Sequence, residues 1–302
     1  MVTEFEKENY NANLYEGKLY AEELCVSLEQ VALAEYQEDT DLHAAALFDL
    51  ADHQVLYSFR VHEKLYPASV TKIMTALLAL ERGNLEDQVT ISSHAAAAAF
   101  PPDASLCGLI EGDVWSLNDL VNALMIRSGN DAATAIAEYI AGSEDAFVAM
   151  MNQRAEELMA NNTHFMNPHG LHDDAHYTTA YDIYLIFKEC IKDERFIEII
   201  KKDSFTASYV KSDGSPGSSE FSPTNYYARG LADRPGNVTI VGGKTGTTGE
   251  AGNCLVLLEQ GEDGDSYISI VMGAPDKAVL YTDMTSLILA IPDDAPADEA
   301  GS

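Results

Sequence analysis

Apolar and polar positions follow two rhythms along the 302 residues. Ala45–Leu50 and Gln54–Phe59 are short apolar runs on either side of Ala51-Asp52-His53, which predicts a β-hairpin. From Ser69 to about Arg195 the spacing turns helical, predicting helices near 72–82, 117–127, 131–141, 144–160 and 179–200. Strand character is expected only afterwards. Beyond a Ser-, Gly- and Pro-rich stretch near 203–230 come three short apolar runs, Val238–Val241, Cys254–Leu258 and Tyr267–Met272, and then a last helix over about Lys277–Ala290. Before the hairpin, Leu24, Leu28 and Val31 recur at i, i+4 and i+7, the spacing of a docking helix.

Hairpin, helical block, three strands and helix together predict an α+β fold: an antiparallel five-stranded sheet flanked by helices. A helical lobe is inserted in its middle connection, leaving a cleft between lobe and sheet. The expected division is an N-terminal extension and helix over 1–41, one continuous unit over 42–290 with its lobe at about 69–200, and a tail over 291–302. The tail contains the acidic run 292–299 and is expected to be disordered. No internal repeat is visible.

Composition narrows the function classes. With 46% hydrophobic and 22% charged residues the chain folds, and it holds no apolar run of about 18 residues that would span a bilayer. No basic, apolar N-terminal segment resembles a signal peptide. Eighteen basic against 49 acidic residues give a net charge of −31, which argues against a nucleic-acid binder and reads as a solvated acidic surface. An anionic substrate then needs a local concentration of positive charge. Cys25, Cys107, Cys190 and Cys254 form no C-x-x-C pair, which disfavours a zinc site and a redox motif. Three disulfide pairings stay formally open, and Cys254, inside an apolar run, reads as a buried thiol.

The chemistry lies in three short motifs. Ser69 and Lys72 are one helical turn apart if Ser69 opens a helix, so the lysine amine can reach the serine hydroxyl and activate it as a nucleophile. A second S-x-x-K, Ser208 to Lys211, sits in a run rich in Thr, Tyr and Val that ends at Asp213-Gly214; it reads as strand and turn, where i and i+3 face opposite ways. Ser128-Gly129-Asn130 lies between two predicted helices, where a loop turns a hydroxyl and an amide into a cleft. Its rival, Ser116-Leu117-Asn118, reads as a helix cap with Asp119 at the third helical position. Lys244-Thr245-Gly246 follows an apolar strand. A P-loop at Gly243-Lys244-Thr245 fails because Val238 stands where that motif has glycine, and strand rather than helix follows.

Serine-x-x-lysine, serine-x-asparagine and lysine-threonine-glycine, in this order, make up the motif set of the penicillin-recognising serine enzymes. Together with the phrases Pro67–Thr75 (PASVTKIMT), Ser128–Ala133 (SGNDAA), Asn167–Leu171 (NPHGL) and Gly243–Thr247 with Ala251-Gly252, the sequence resembles the D-alanyl-D-alanine carboxypeptidases. These are the low-molecular-mass penicillin-binding proteins of the S11 peptidase type. The resemblance covers about residues 42–290 and implies a β-lactamase/transpeptidase-like fold. It also implies that Ser69 attacks the carbonyl between two D-alanines of a peptidoglycan stem peptide, with neutral Lys72 as its base and nearby Lys244 helping to lower the Lys72 pKa. Ser128 then relays a proton to the leaving amine, Asn130 holds the substrate backbone, and Lys244 and Thr245 bind the terminal carboxylate. Gly246 lets the strand approach the substrate, and the N–H groups of Ser69 and Thr247 form the oxyanion hole.

The resemblance implies no cofactor or metal, covalent inhibition by β-lactams, and work in the cell envelope outside the cytoplasm. Gly129 stands where class A β-lactamases carry aspartate, and no ExxLN phrase follows, so β-lactams are expected to leave Ser69 slowly. A further β-rich domain and an amphipathic membrane anchor, frequent in full-length relatives, are not read in this chain. His169, His172 and His176 with Asp173 and Asp174 lack fixed ligand spacing and read as a loop bordering the cleft. A DD-endopeptidase or transpeptidase, and a β-lactam sensor domain that does not turn over, use the same motifs.

Overall fold

The structure, a computed structural model, describes residues 23–27, 30–32, 44–262 and 264–291. Strands β1 (Ala44–Asp49) and β2 (Gln54–Phe59) form the hairpin. Its turn is set by the Asp49 carboxylate, which accepts the N–H groups of Ala51 and Asp52 at 2.8 and 3.1 Å. The lobe then carries α1 (Lys72–Arg82), β3 (Gln88–Thr90), β4 (Val114–Ser116), α2 (Leu117–Ile126), α3 (Asn130–Ala141), α4 (Glu144–Glu157), α5 (Ala180–Cys190) and α6 (Glu194–Ile200). After it come β5 (Phe205–Val210), β6 (Pro216–Phe221), β7 (Val238–Thr248), β8 (Gly252–Gly261), β9 (Ser266–Ala274) and α7 (Lys277–Leu289).

The main sheet is antiparallel and runs β2-β1-β9-β8-β7, the five strands expected from the sequence. Its central strands show no alternation of polar and apolar residues because both faces are covered. Cys254, Val256 and Leu258 of β8 enter the core shared with the lobe, whereas Leu255 and Leu257 face the layer holding α7 and Tyr227. Pairing of β1 with β9 ties the start of the unit to its end, so the lobe is an insertion between sheet strands.

Three expectations are corrected. Strand structure does not wait until after the lobe: β3 and β4 lie inside it and join β5 and β6 in a second sheet, ordered β3-β4-β5-β6. Strands of three residues are too short to show a period, and they are held by tertiary packing such as Trp115 stacked on Tyr209 at 4.2 Å. The helical run at 179–200 is two helices, broken where Asp193 caps the second by accepting from the Arg195 N–H. The helix read from Leu24, Leu28 and Val31 is absent at its described residues: 23–27 are not helical, and Val31 exchanges two backbone hydrogen bonds with Ser58 at 3.2 and 3.0 Å. Leu28 and the acidic run 292–299 lie outside the described residues. All four cysteines are buried free thiols, which closes the three possible pairings.

Candidate active site

Pro67 leads into a 3₁₀ turn, Ala68–Thr71, that continues directly into α1. A 3₁₀ turn nearly eclipses side chains three residues apart, which brings Ser69 and Lys72 together more closely than an α-helical turn does. Lys72 Nζ stands 2.9 Å from Ser69 Oγ. It also contacts Asn130 Oδ1 at 2.8 Å and the His169 carbonyl oxygen at 2.5 Å. Lys72 is fully buried, and burial first, then the Lys244 charge, push its pKa well below the ordinary lysine value. The sequence reading named Lys244 as a help; desolvation is the larger cause.

A neutral amine has two N–H donors and one lone pair. The two carbonyl oxygens, of Asn130 and His169, can only accept, so they take both hydrogens. The lone pair is left for the Ser69 hydroxyl.

Asn130 reaches this position because α3 begins at it, and Gly129 before it leaves room for Cys107: a Cβ at Gly129 would lie 2.2 Å from the Cys107 sulfur. Asp131, buried at the same helix start, accepts the N–H groups of Cys107, Gly108 and Leu109 at 2.8–3.0 Å. The loop before α2's strand is thereby fastened to the head of α3. Ser128 sits in the left-handed region at φ +66°, and its hydroxyl accepts from Lys244 Nζ at 2.9 Å. Lys244 is buried in β7 and also donates to the Thr245 carbonyl at 2.7 Å. Burial and the Lys277 charge lower its pKa to about 7.

Strand β7 crosses close to the nucleophile turn at Gly246. A Cβ there would stand 2.9 Å from the Pro67 carbonyl oxygen and 3.1 Å from the Ser69 nitrogen, so a larger residue would hold the strand away. On either side, the Thr245 hydroxyl meets that of Thr224 at 2.5 Å, and the Thr247 hydroxyl donates to Asn253 Oδ1 at 3.1 Å. All eight residues singled out from the sequence thus lie on three converging segments, the turn that runs into α1, the loop that opens α3, and β7, whereas Ser208 is on β5 in the second sheet and Ser116 caps α2.

Sequence reasoning missed the brace behind Ser69. Ala68 has φ +47°, strained for alanine, and it is held from the loop 164–177. His176 Nδ1 accepts from the Met166 N–H at 3.3 Å, leaving Nε2 to donate to Thr71 Oγ1 at 2.9 Å, while the Thr71 hydroxyl donates to the Ala68 carbonyl at 2.8 Å. Burial lowers the His176 pKa to about 4, which keeps the ring neutral and this direction of hydrogen bonding fixed. His169 offers its backbone carbonyl to Lys72 while its ring, also held neutral by burial, lies 3.8 Å from Glu144. His172 turns away to Asp174 and Tyr66. The sequence placed this stretch as a loop bordering the cleft, from the NPHGL phrase and the cluster of His169, His172 and His176, but gave no sign that His176 braces the nucleophile turn.

The family model described as D-alanyl-D-alanine carboxypeptidase, Peptidase_S11, matches residues 31–276. The chain is 37% identical over 236 residues to the D-alanyl-D-alanine carboxypeptidase DacF of Bacillus subtilis, covering 76% of this chain and 57% of that one. It is 34% identical over 258 residues to DacC of Escherichia coli, covering 82% and 60%. It therefore spans less than two thirds of the length of these two relatives. Among solved structures it is similar to the Streptomyces K15 DD-transpeptidase, with a TM-score of 0.77 and 27% identity over 84% of this chain and 98% of that one.

Proposed function

The chain belongs to the D-alanyl-D-alanine carboxypeptidase family, peptidase family S11, and on that premise we propose that it is a serine-type DD-carboxypeptidase acting on peptidoglycan stem peptides. The observation that carries this reading is the donor count at Lys72, which leaves its lone pair aimed at Ser69 Oγ.

Ser69 Oγ attacks the carbonyl carbon between the two terminal D-alanines while its proton passes to Lys72 Nζ. The oxyanion of the tetrahedral intermediate is received by the N–H groups of Ser69 and Thr247, beside the close crossing at Gly246. Collapse breaks the C–N bond. Ser128, which accepts from Lys244 Nζ, hands its hydroxyl proton to the leaving amine and is reprotonated with the proton that Lys72 took from Ser69, which frees D-alanine and leaves an ester on Ser69. Asn130 aligns the substrate backbone, and Lys244 with Thr245 binds the terminal carboxylate, supplying the local positive charge that a surface of net charge −31 requires. Water then attacks the ester, with Lys72 again taking a proton, and regenerates Ser69. A β-lactam opens on Ser69 by the same first step, but its leaving group stays tethered. The work of such an enzyme lies outside the cytoplasm, at the cell wall.

The likeness to a DD-transpeptidase supports a second outcome of the same acyl-enzyme, transfer to an amine in place of water. Incubation with benzylpenicillin followed by intact mass and peptide mapping tests the first step. A single adduct on Ser69, absent in Ser69→Ala, is expected; an adduct elsewhere or none overturns the assignment.

A further inference from the structure

Next to the site lies a cavity of about 540 Å³, lined among others by Thr224, Tyr226, Arg127, Arg229 and Lys277, with Glu220 contributing one carboxylate. Thr224 joins it to the site through its hydroxyl contact with Thr245, and Arg127 directly precedes Ser128. Three cations converging here are unusual on a chain with 18 basic and 49 acidic residues. The ion pairs of the described residues take up Arg60, Arg154, Arg195 and Arg234, but none of these three. Arg229 and Lys277 both lie within 6 Å of the Tyr226 ring, at 5.9 and 5.4 Å, and that ring is held in place by stacking on Tyr281 at 4.8 Å. Lys277 repels Lys244, and Arg229 repels Lys277. The result is a ladder of like charges leading out of the site, a cost that a bound anion relieves.

We propose that this cavity is a subsite for a carboxylate on the side chain of the residue that leaves, so that the enzyme accepts stem peptides ending in an acidic D-amino acid as well as in D-alanine. The assignment rests on the carboxypeptidase reading, because it takes the terminal carboxylate to be at Lys244 and Thr245 and the cavity to lie past it. The methyl group of D-alanine neither fills such a volume nor uses its charge, whereas a D-glutamate side chain can carry a carboxylate to the guanidinium groups, which pair with carboxylates through two parallel hydrogen bonds.

The test compares diacetyl-L-Lys-D-Ala-D-Ala with diacetyl-L-Lys-D-Ala-D-Glu. Release of the last residue gives kcat/KM, and protection of Ser69 from a fluorescent penicillin gives the affinity of each peptide whether or not it turns over. For the wild type we expect the two kcat/KM values to agree within about threefold. Arg229→Gln and Arg127→Gln should each lower kcat/KM for the D-glutamate peptide about tenfold, the worth of one charge-assisted hydrogen bond, and change the D-alanine peptide by less than about twofold. Equal losses on both peptides, or a wild type that rejects the acidic peptide about 100-fold, overturn the subsite. If neither peptide is cleaved, the carboxypeptidase reading fails, and the subsite is then decided by protection alone: stronger protection by the D-glutamate peptide that Arg229→Gln removes sustains it, and equal protection overturns it.

Discussion

Gly170 and Ala68 are packed so tightly that a Cβ on Gly170 would lie 1.8 Å from the Ala68 carbonyl oxygen. Gly170 itself has φ +84°, so alanine there is opposed twice, by backbone strain and by the contact. Relief requires moving either the loop that accepts from Lys72 or the turn that carries Ser69. We predict that Gly170→Ala slows acylation by penicillin about 100-fold, the cost of a misplacement near 1 Å. Stopped-flow labelling measures it, with circular dichroism to show that the variant is folded. A wild-type acylation rate would mean that the loop does not position the nucleophile.

The His176–Thr71–Ala68 chain of hydrogen bonds leads to a separate expectation. His176→Ala removes the donor to Thr71 and leaves the Met166 N–H without its acceptor, at a cost of about 1–3 kcal/mol in unfolding free energy. Acylation should slow, while the affinity for unreacted peptide stays near wild type because His176 touches no substrate-binding group. His176→Gln, which keeps one donor and one acceptor, should restore part of the rate. Denaturant unfolding and labelling kinetics read the two effects separately.

Two lysines with opposite requirements set the pH dependence. Lys72 acts as the free base, so the rate rises with pH through its depressed pKa; Lys244 acts as the cation, so kcat/KM falls as pH passes about 7. A bound carboxylate favours the charged Lys244, which moves the descending limb of kcat to higher pH than that of kcat/KM. Lys244→Arg, which keeps its proton, should abolish the descending limb. An unchanged descending limb in that variant would assign it to another group.

Stability has its own pH signature in Glu259, fully buried on β8. Burial raises its pKa from 4.5 to about 8, with only a partial offset from Ser269. The folded protein therefore holds a proton that the unfolded chain releases between about pH 4.5 and 8, and stability falls as pH rises through that window. The loss amounts to about 3–5 kcal/mol. Glu259→Gln, neutral at every pH, should gain on the wild type by that amount at pH 8 and lose the advantage near pH 4.5. Urea unfolding at the two values checks it.

Much of this site was legible because each motif is contiguous in sequence. Ser69 and Lys72 are brought together by one turn, and Lys244 to Thr247 by one strand, so spacing alone implied their geometry. The supports of those motifs were not legible. Asp131 holds a loop more than 20 residues before it, His176 acts on a residue 105 positions away, and Thr224 meets Thr245 across a stretch with no regular pattern. The sheet followed from apolar runs, but β3 and β4 are too short to register, and β6, PGSSEF, has the composition of a loop and is a strand because β5 pairs with it.

Release of D-alanine from diacetyl-L-Lys-D-Ala-D-Ala tests the central claim most directly. The wild type is expected to liberate one D-alanine per peptide over many turnovers, and Ser69→Ala none, with benzylpenicillin stopping release in step with labelling of Ser69. Labelling of Ser69 without any release of D-alanine would contradict the carboxypeptidase assignment.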